Sequence, residues 1–249
     1  MIDAAATPVL LIERRERVLW LRLNRPRSAN ALNEALQQSL VAALGEADQD
    51  PGIGAVVLCA SGGRVFSAGA DLKEFSDLPL AQARRRRRAL LRDTLLALCD
   101  VGKPVLACVE GKAVGAGCML ALLADEIHLA DQAAFSMPEI ALGSASPLAI
   151  SLVRARAGHR VAIRMVQTGE VITAPRALEL GLADDVSELA GLEAAVAEAA
   201  GRLAGLPLRA WRQNRRWLMR DLRAEIVLAT GEFSDWIDQD NEGALQDGA

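Results

Sequence analysis

The chain has 249 residues, 51% of them apolar, and a formal net charge of −4. That is enough material for one large domain with a substantial core, or for a domain with a helical tail. The acidic balance speaks against nucleic acid as the principal partner. No apolar run reaches the ~18 residues of a membrane span. The N-terminus, MIDAAATPVLLIERRER, carries an early acid and no basic leader region, so a cytoplasmic protein is expected.

In chain order, Val9–Glu13 and Val18–Leu23 are short apolar or alternating runs separated by charges and predict a hairpin. Asn24-Arg25-Pro26 ends the second strand. Leu36, Leu40, Ala43 and Leu44 recur at helical spacing and predict a helix over Asn33–Ala47, with Asn33 as its N-cap. Asp50-Pro51-Gly52 is a turn, Ala55–Cys59 a buried strand, Ser61–Gly63 a loop and Val65-Phe66 a short strand. A long helix follows over Leu80–Cys99, then a strand over Pro104–Val109 and an apolar helix over Ala116–Leu123. Ile127–Ala130 and Ala133–Phe135 are further strands. Beyond Pro147 the pattern is helical: Leu148–Ala157, Arg160–Thr168, Ala174–Leu180, Leu192–Leu203, Pro207–Met219 and Leu222–Trp236. Strands alternating with helices, then helices alone, predict an α/β core on a parallel sheet with a C-terminal helical region.

Much familiar chemistry is missing. There is no P-loop, no complete dinucleotide-binding glycine fingerprint and no GxSxG elbow. With two histidines and four cysteines lacking CxxC spacing, no zinc site is expected, and Cys59 and Cys108 are expected to be buried free thiols. His128, within an apolar strand, and His159, at a helix start, are expected to be structural. Arg84–Arg88 are consecutive arginines pointing all round a helix; a solvated helix surface explains them, and attraction of a polyanion is the sharper alternative.

Two small-residue segments carry more information. Arg64–Phe75 and Gly111–Met119 each follow an apolar run with glycine and alanine, which lets backbone N–H groups come close to a ligand. Two N–H groups converging on one oxygen would form an oxyanion hole. The acid–base candidate is Glu139, flanked by Phe135, Met137, Pro138, Ile140 and Leu142; such company desolvates a carboxyl group and raises its pKa toward that of a useful general base. An ordinary loop glutamate is the plainer alternative.

Taken together these segments resemble the enoyl-CoA hydratase/isomerase (crotonase) superfamily over nearly the whole chain. Asn24-Arg25-Pro26 with Asn30-Ala31-Leu32-Asn33 matches NRP…NALN, and Phe66–Glu74 matches F-x-AGADLKE. Lys103-Pro104-Val105 with Gly111 and Gly115–Cys118, Pro138-Glu139 with Leu142-Gly143, and Thr168-Gly169 with Gly181-Leu182 complete the ordered set. The resemblance implies a crotonase-like spiral of repeated ββα units over residues 1–190. It implies a C-terminal helical region over 191–249 that builds a homotrimer or a dimer of trimers. It implies an acyl-CoA thioester as substrate and no cofactor besides the coenzyme A that the substrate carries. The N–H groups of Ala70 and Ala116 would hold the thioester oxygen. Ala68, Gly69, Asp71, Leu72 and Lys73 would border the coenzyme A moiety, and Arg25, Arg27 and Lys73 are candidate phosphate or adenine contacts.

Two departures from the family pattern stand out. Hydratases of this family carry a second glutamate where this chain has Met119, which can neither take a proton nor orient water. Together with Ser146-Pro147 this resembles the single-glutamate Δ3,Δ2-enoyl-CoA isomerases, so isomerisation with Glu139 as base is expected. Hydration is the first alternative; a non-catalytic acyl-CoA binder and an RNA-binding homologue using Arg84–Arg88 are others. The second departure is the C-terminus, where Asn241–Leu245 lacks the basic tail that follows in other members. Trp211, Trp217 and Trp236 are expected in core or subunit packing.

Overall fold

The computed structural model describes residues 7–231. An antiparallel hairpin of β1 (Leu10–Arg15) and β2 (Val18–Leu23) opens the chain. The helix α1 (Glu34–Gln49) follows, with Asn33 Oδ1 accepting the Leu36 N–H as the expected N-cap. Three paired strands come next: β3 (Ala55–Ala60) with β4 (Val65–Ser67), β5 (Val105–Val109) with β6 (Lys112–Val114), and β7 (Glu126–Ala130) with β8 (Ala134–Ser136). The helix α2 (Leu80–Asp100) separates the first pair from the second, and α3 (Ala116–Leu122) the second from the third. In each pair the first strand joins one sheet and the second joins another, so the chain climbs as a spiral of ββα turns.

Among the described residues the larger sheet runs β1-β2-β3-β5-β7 and is completed by β10 (Asp185–Ser187). The smaller runs β4-β6-β8 and ends on β9 (Ile172–Thr173). Both are parallel except at the edges β1 and β9. A parallel strand covered on both faces has no polar side to show, and β3 (AVVLCA) and β5 (VLACV) are buried at every position. All four cysteines are buried and free. Burial pushes the Cys59 and Cys99 thiols up to about 12. That makes them inert core residues.

Past Pro147 the chain is less purely helical than its sequence pattern predicts. After α4 (Pro147–Ala157), the expected helix over Arg160–Thr168 is one short α-helical turn, α5 (His159–Ala162), that widens into a π-helical turn over Ile163–Gln167. The strands β9 and β10 flank α6 (Ala174–Glu179), and β6 is a further unanticipated strand. Each has two or three residues, too few for an apolar period to register. The C-terminal helices are α7 (Leu189–Ala204), α8 (Leu208–Leu218) and α9 (Arg220–Thr230). The helix expected to run to Trp236 is described only to Thr230, and Trp236 and Asn241–Leu245 lie outside the described residues. No helix among the described residues is long and apolar enough to cross a membrane.

α7 lies across β3, β5 and β7. α8 is fixed by a charge pair: the buried Arg215 donates Nε to Asp125 at 2.9 Å and Nη1 to the Cys99 and Val101 carbonyls. Asp125 also accepts the Val105 N–H at 2.8 Å, which ties α8 to the start of β5. Trp217 on the same helix is 68% exposed, so within one chain it packs in no core. Breaking a buried pair on one side strands the other charge. Arg215→Met is expected to lower the unfolding free energy by about 3–5 kcal/mol, measured by urea denaturation. Adding Asp125→Leu should recover part of that loss.

Candidate active site

The site is built where the chain leaves the smaller sheet. After β4, residues Ala68–Asp71 run beside the turn that precedes α1. Leu32 N–H donates to the Gly69 carbonyl at 2.8 Å, Asp71 N–H to the Leu32 carbonyl at 3.2 Å, and Ala68 N–H to the Ala29 carbonyl at 2.9 Å. The organiser of that turn is Asn30, fully buried at a left-handed φ of 52°. Its Oδ1 accepts the Arg25 N–H, and its Nδ2 donates to the Ser61 and Val65 carbonyls. Asparagine tolerates this backbone region better than most residues, and here every side-chain bond serves the fold.

Arg25, a candidate phosphate contact from sequence, points inward. Its Nη1 reaches Asp71 Oδ2 at 2.9 Å and the Ala31 carbonyl, so it clamps the loop from below. Asp71 Oδ1 accepts the Lys73 N–H. Arg27, Ala68, Leu72 and Lys73 are exposed, with Leu72 at 69%, and form an open rim. Farther along, Glu74 accepts the Glu34 N–H at 2.9 Å at the start of α1. Arg87 Nη1 donates to the Glu74 carbonyl, and Arg86 pairs with Glu34. Two members of the arginine run therefore tie α2 to the loop and to α1, while Arg84 and Arg85 face solvent.

The second segment is the entry to α3. Gly115 at φ 51° is its N-cap, and Ala116 is its first residue. A β-carbon on Gly69, itself at φ 90°, would lie 2.8 Å from the Val114 carbonyl oxygen and 3.3 Å from the Ala116 nitrogen. The loops carrying Ala70 and Ala116 thus run in direct contact, and only a residue without a side chain fits between them. Among the described residues neither the Ala70 nor the Ala116 N–H has a protein acceptor. Met119 follows Ala116 by one helical turn and is buried at 3% exposure.

Glu139 lies on a 3₁₀ turn over Pro138–Leu142, reached directly from β8. It is half-buried, not the freely solvated loop residue of the plainer alternative. A β-carbon on Gly115 would sit 2.9 Å from Glu139 Oε1, which places the carboxylate against the residue that precedes Ala116. Glu139 Oε2 is buried without a protein partner. Burial raises this carboxyl above the ordinary glutamate value, partly offset by its own backbone N–H. Gly69 against Ala116 and Gly115 against Glu139 put the segments of Ala70, Ala116 and Glu139 side by side, with Met119 one helical turn along α3; sequence reasoning alone does not single out Gly115 as the wall against Glu139, nor Asn30 as the hub. The glycine lies within the quoted Gly115–Cys118 motif, which was a usable signal; Asn30 reads like any turn asparagine.

The two histidines lie elsewhere. His128 is buried in β7, 3.5 Å from Glu126 and 3.7 Å from Asp185, and His159 is exposed at the start of α5. Among the described residues there is no group of His, Cys, Asp and Glu able to hold a metal ion.

A family model described as "Enoyl-CoA hydratase/isomerase" matches residues 13–235. The 2,3-dehydroadipyl-CoA hydratase of Escherichia coli is 42% identical over 179 residues, covering 71% of this chain and 68% of that protein. A probable enoyl-CoA hydratase of Rhizobium meliloti is 35% identical over 226 residues, covering 89% of this chain and 84% of that one. The solved structure of an enoyl-CoA hydratase from Bacillus anthracis superposes with a TM-score of 0.79 at 26% identity, over 94% of this chain and 96% of that one.

A carboxyl whose folded pKa is raised holds its proton more tightly in the native state, so its contribution to stability is lost as pH climbs past the unfolded value. Glu139→Gln removes that burden. The variant is expected to melt above the parent at pH 8, with the difference shrinking as pH falls toward about 4.5. Paired thermal melts across that range check the sign; a constant difference would refute it.

Proposed function

We propose, for a chain that belongs to the enoyl-CoA hydratase/isomerase family, that it binds an acyl-CoA thioester between the N–H groups of Ala70 and Ala116 and moves a proton on it with Glu139. The reading rests above all on the placement of Glu139, whose Oε1 lies against Gly115 and whose Oε2 is buried without a protein partner, with buried Met119 one helical turn beyond Ala116 where a second acid would be needed to hold water.

In the favoured reaction a 3-enoyl thioester loses an α-proton from C2 to Glu139. The electron pair moves into the carbonyl, and the resulting dienolate oxygen accepts hydrogen bonds from Ala70 and Ala116. Each such donor is worth on the order of 10²–10³ in rate. Protonated Glu139 then returns the proton at C4, leaving the double bond between C2 and C3. Proton count and electron count balance with one base and no water. A raised carboxyl pKa suits both halves, because the group must take the proton and then release it. Hydration of a 2-enoyl thioester is the second reading, and the names of the relatives favour it. A homotrimer or dimer of trimers goes with either reading, supported by the exposed Trp217 and Leu218 on α8.

Separate incubations decide the matter. With 3-enoyl-CoA, conjugated 2-enoyl product should accumulate and be seen by its ultraviolet absorbance; rapid loss of 2-enoyl-CoA to hydroxyacyl product would favour hydration instead. Glu139→Gln should depress whichever activity is found by about 10²–10⁴-fold. Met119→Glu, by supplying a second carboxylate, should raise hydration relative to isomerisation.

A further inference from the structure

Ser67, the last residue of β4, is fully buried although it is polar. Its hydroxyl is spent entirely inside the site's framework. Oγ donates to the Asn30 carbonyl at 2.8 Å and accepts the Gly69 N–H at 3.2 Å. Two successive peptide planes are pinned here, one by Ser67 and one by Leu32. The Ala68–Gly69 plane is held through the Gly69 N–H by Ser67. The Gly69–Ala70 plane is held through the Gly69 carbonyl by the Leu32 N–H at 2.8 Å. In a trans peptide the N–H points opposite to the carbonyl, so fixing the Gly69 oxygen and the φ of Gly69 at 90° fixes the aim of the Ala70 N–H.

The same side chain touches the second donor segment. A β-carbon on Gly117 would fall 2.5 Å from Ser67 Cβ and 2.7 Å from its Oγ. The first turn of α3 therefore rests directly on Ser67. Ser67 thus fixes the peptide plane next to the one that carries the Ala70 N–H, which Leu32 holds, and it sets the distance to the turn bearing Ala116.

We infer that Ser67 is a positioning residue for the oxyanion-holding pair, acting through Gly69 on one side and Gly117 on the other; this rests on Ala70 and Ala116 being that pair. Ser67→Ala deletes the hydroxyl without adding bulk. It frees the Gly69 peptide to rotate and leaves the Asn30 carbonyl and Gly69 N–H buried and unpaired.

The test uses butyryl-CoA labelled with ¹³C at the carbonyl, a saturated thioester that cannot turn over. Isotope-edited infrared difference spectra of the bound ligand report polarisation of the C=O bond. Bound to the parent protein, the stretch should fall to lower frequency than in water. In Ser67→Ala most of that shift should disappear, with kcat on the enoyl substrate down about tenfold and KM changed less than threefold, since a misaimed donor weakens the transition state more than the ground state. Ser67→Cys keeps a weak donor and acceptor at the position and should fall between the two; it also serves if the alanine variant does not fold. A parental carbonyl shift in both variants, whatever happens to their melting temperatures, overturns the inference. If the parent itself binds butyryl-CoA without a shift, or does not bind it, the thioester reading has failed and this inference falls with it.

Discussion

The whole arrangement depends on a close approach of backbone to backbone. Residues 67–71 and 114–117 belong to different turns of the spiral, yet Gly69 has no room for a side chain against Val114 and Ala116. Nothing about that contact is intrinsically stable. Loops rich in glycine and alanine are entropically expensive to fix, and N–H groups left without an acceptor, as at Ala70 and Ala116, are bonds withheld from the fold. The surrounding structure offsets this with local hydrogen bonds that are each fully used. Asn30 saturates its amide on Arg25, Ser61 and Val65, Arg25 grips Asp71, and Glu74 caps α1. Ala68, Gly69 and Asp71 are each held by a hydrogen bond from their backbone N–H, while the Ala70 N–H has no protein acceptor among the described residues.

The same logic governs Glu139. A carboxylate is costly to bury without partners, and the cost appears as an elevated proton affinity. The 3₁₀ turn Pro138–Leu142, entered from β8 through Met137, carries the group out of solvent while the glycine at 115 makes space for it. The carboxylate and the two N–H groups without protein acceptors therefore follow neighbouring strands of the smaller sheet: β4 leads to Ala70, β6 to Ala116 and β8 to Glu139. Three parallel strands side by side place three successive loops at the same end, the geometric reason a parallel sheet collects a site at the ends of its strands.

The larger sheet, apart from its three-residue edge strand β10, was legible in the sequence because its strands are long and apolar enough to stand out: Ala55–Ala60 and Val105–Val109 bury every side chain. The smaller sheet was only partly legible. Lys112–Val114 is three residues between glycines, and its identity as a strand comes from pairing with Val65–Ser67 and Ala134–Ser136, which is non-local information. The same holds for Ile172–Thr173. In the site, the hydrophobic company of Glu139 correctly forecast its desolvation. Arg25 shows the opposite outcome: a cation next to a small-residue loop suggests an anionic ligand, but the nearest anion is Asp71 of the chain itself. Sequence reports charges and their order; it does not report which of them are already neutralised within the fold.

That distinction bears on the arginine run as well. Five adjacent guanidinium groups suggest a polyanion surface, yet a helix distributes consecutive residues around its axis, and the surroundings sort them. Arg86 and Arg87 turn toward Glu34 and the Glu74 carbonyl and brace the loop that follows Ala70. Arg84 and Arg85 remain in solvent. A stretch that looks like one feature is thus divided between scaffold and surface within a single turn. The scaffold half has a consequence for the site. Glu74 lies four residues beyond Ala70 and is held from two sides, by the start of α1 and by α2. Motion of α2 relative to α1 would pull on the loop itself. The frame that holds the Ala68–Asp71 loop therefore includes α1 and the long helix α2 of the first ββα turn, and the direction of a single N–H is a property of the whole domain.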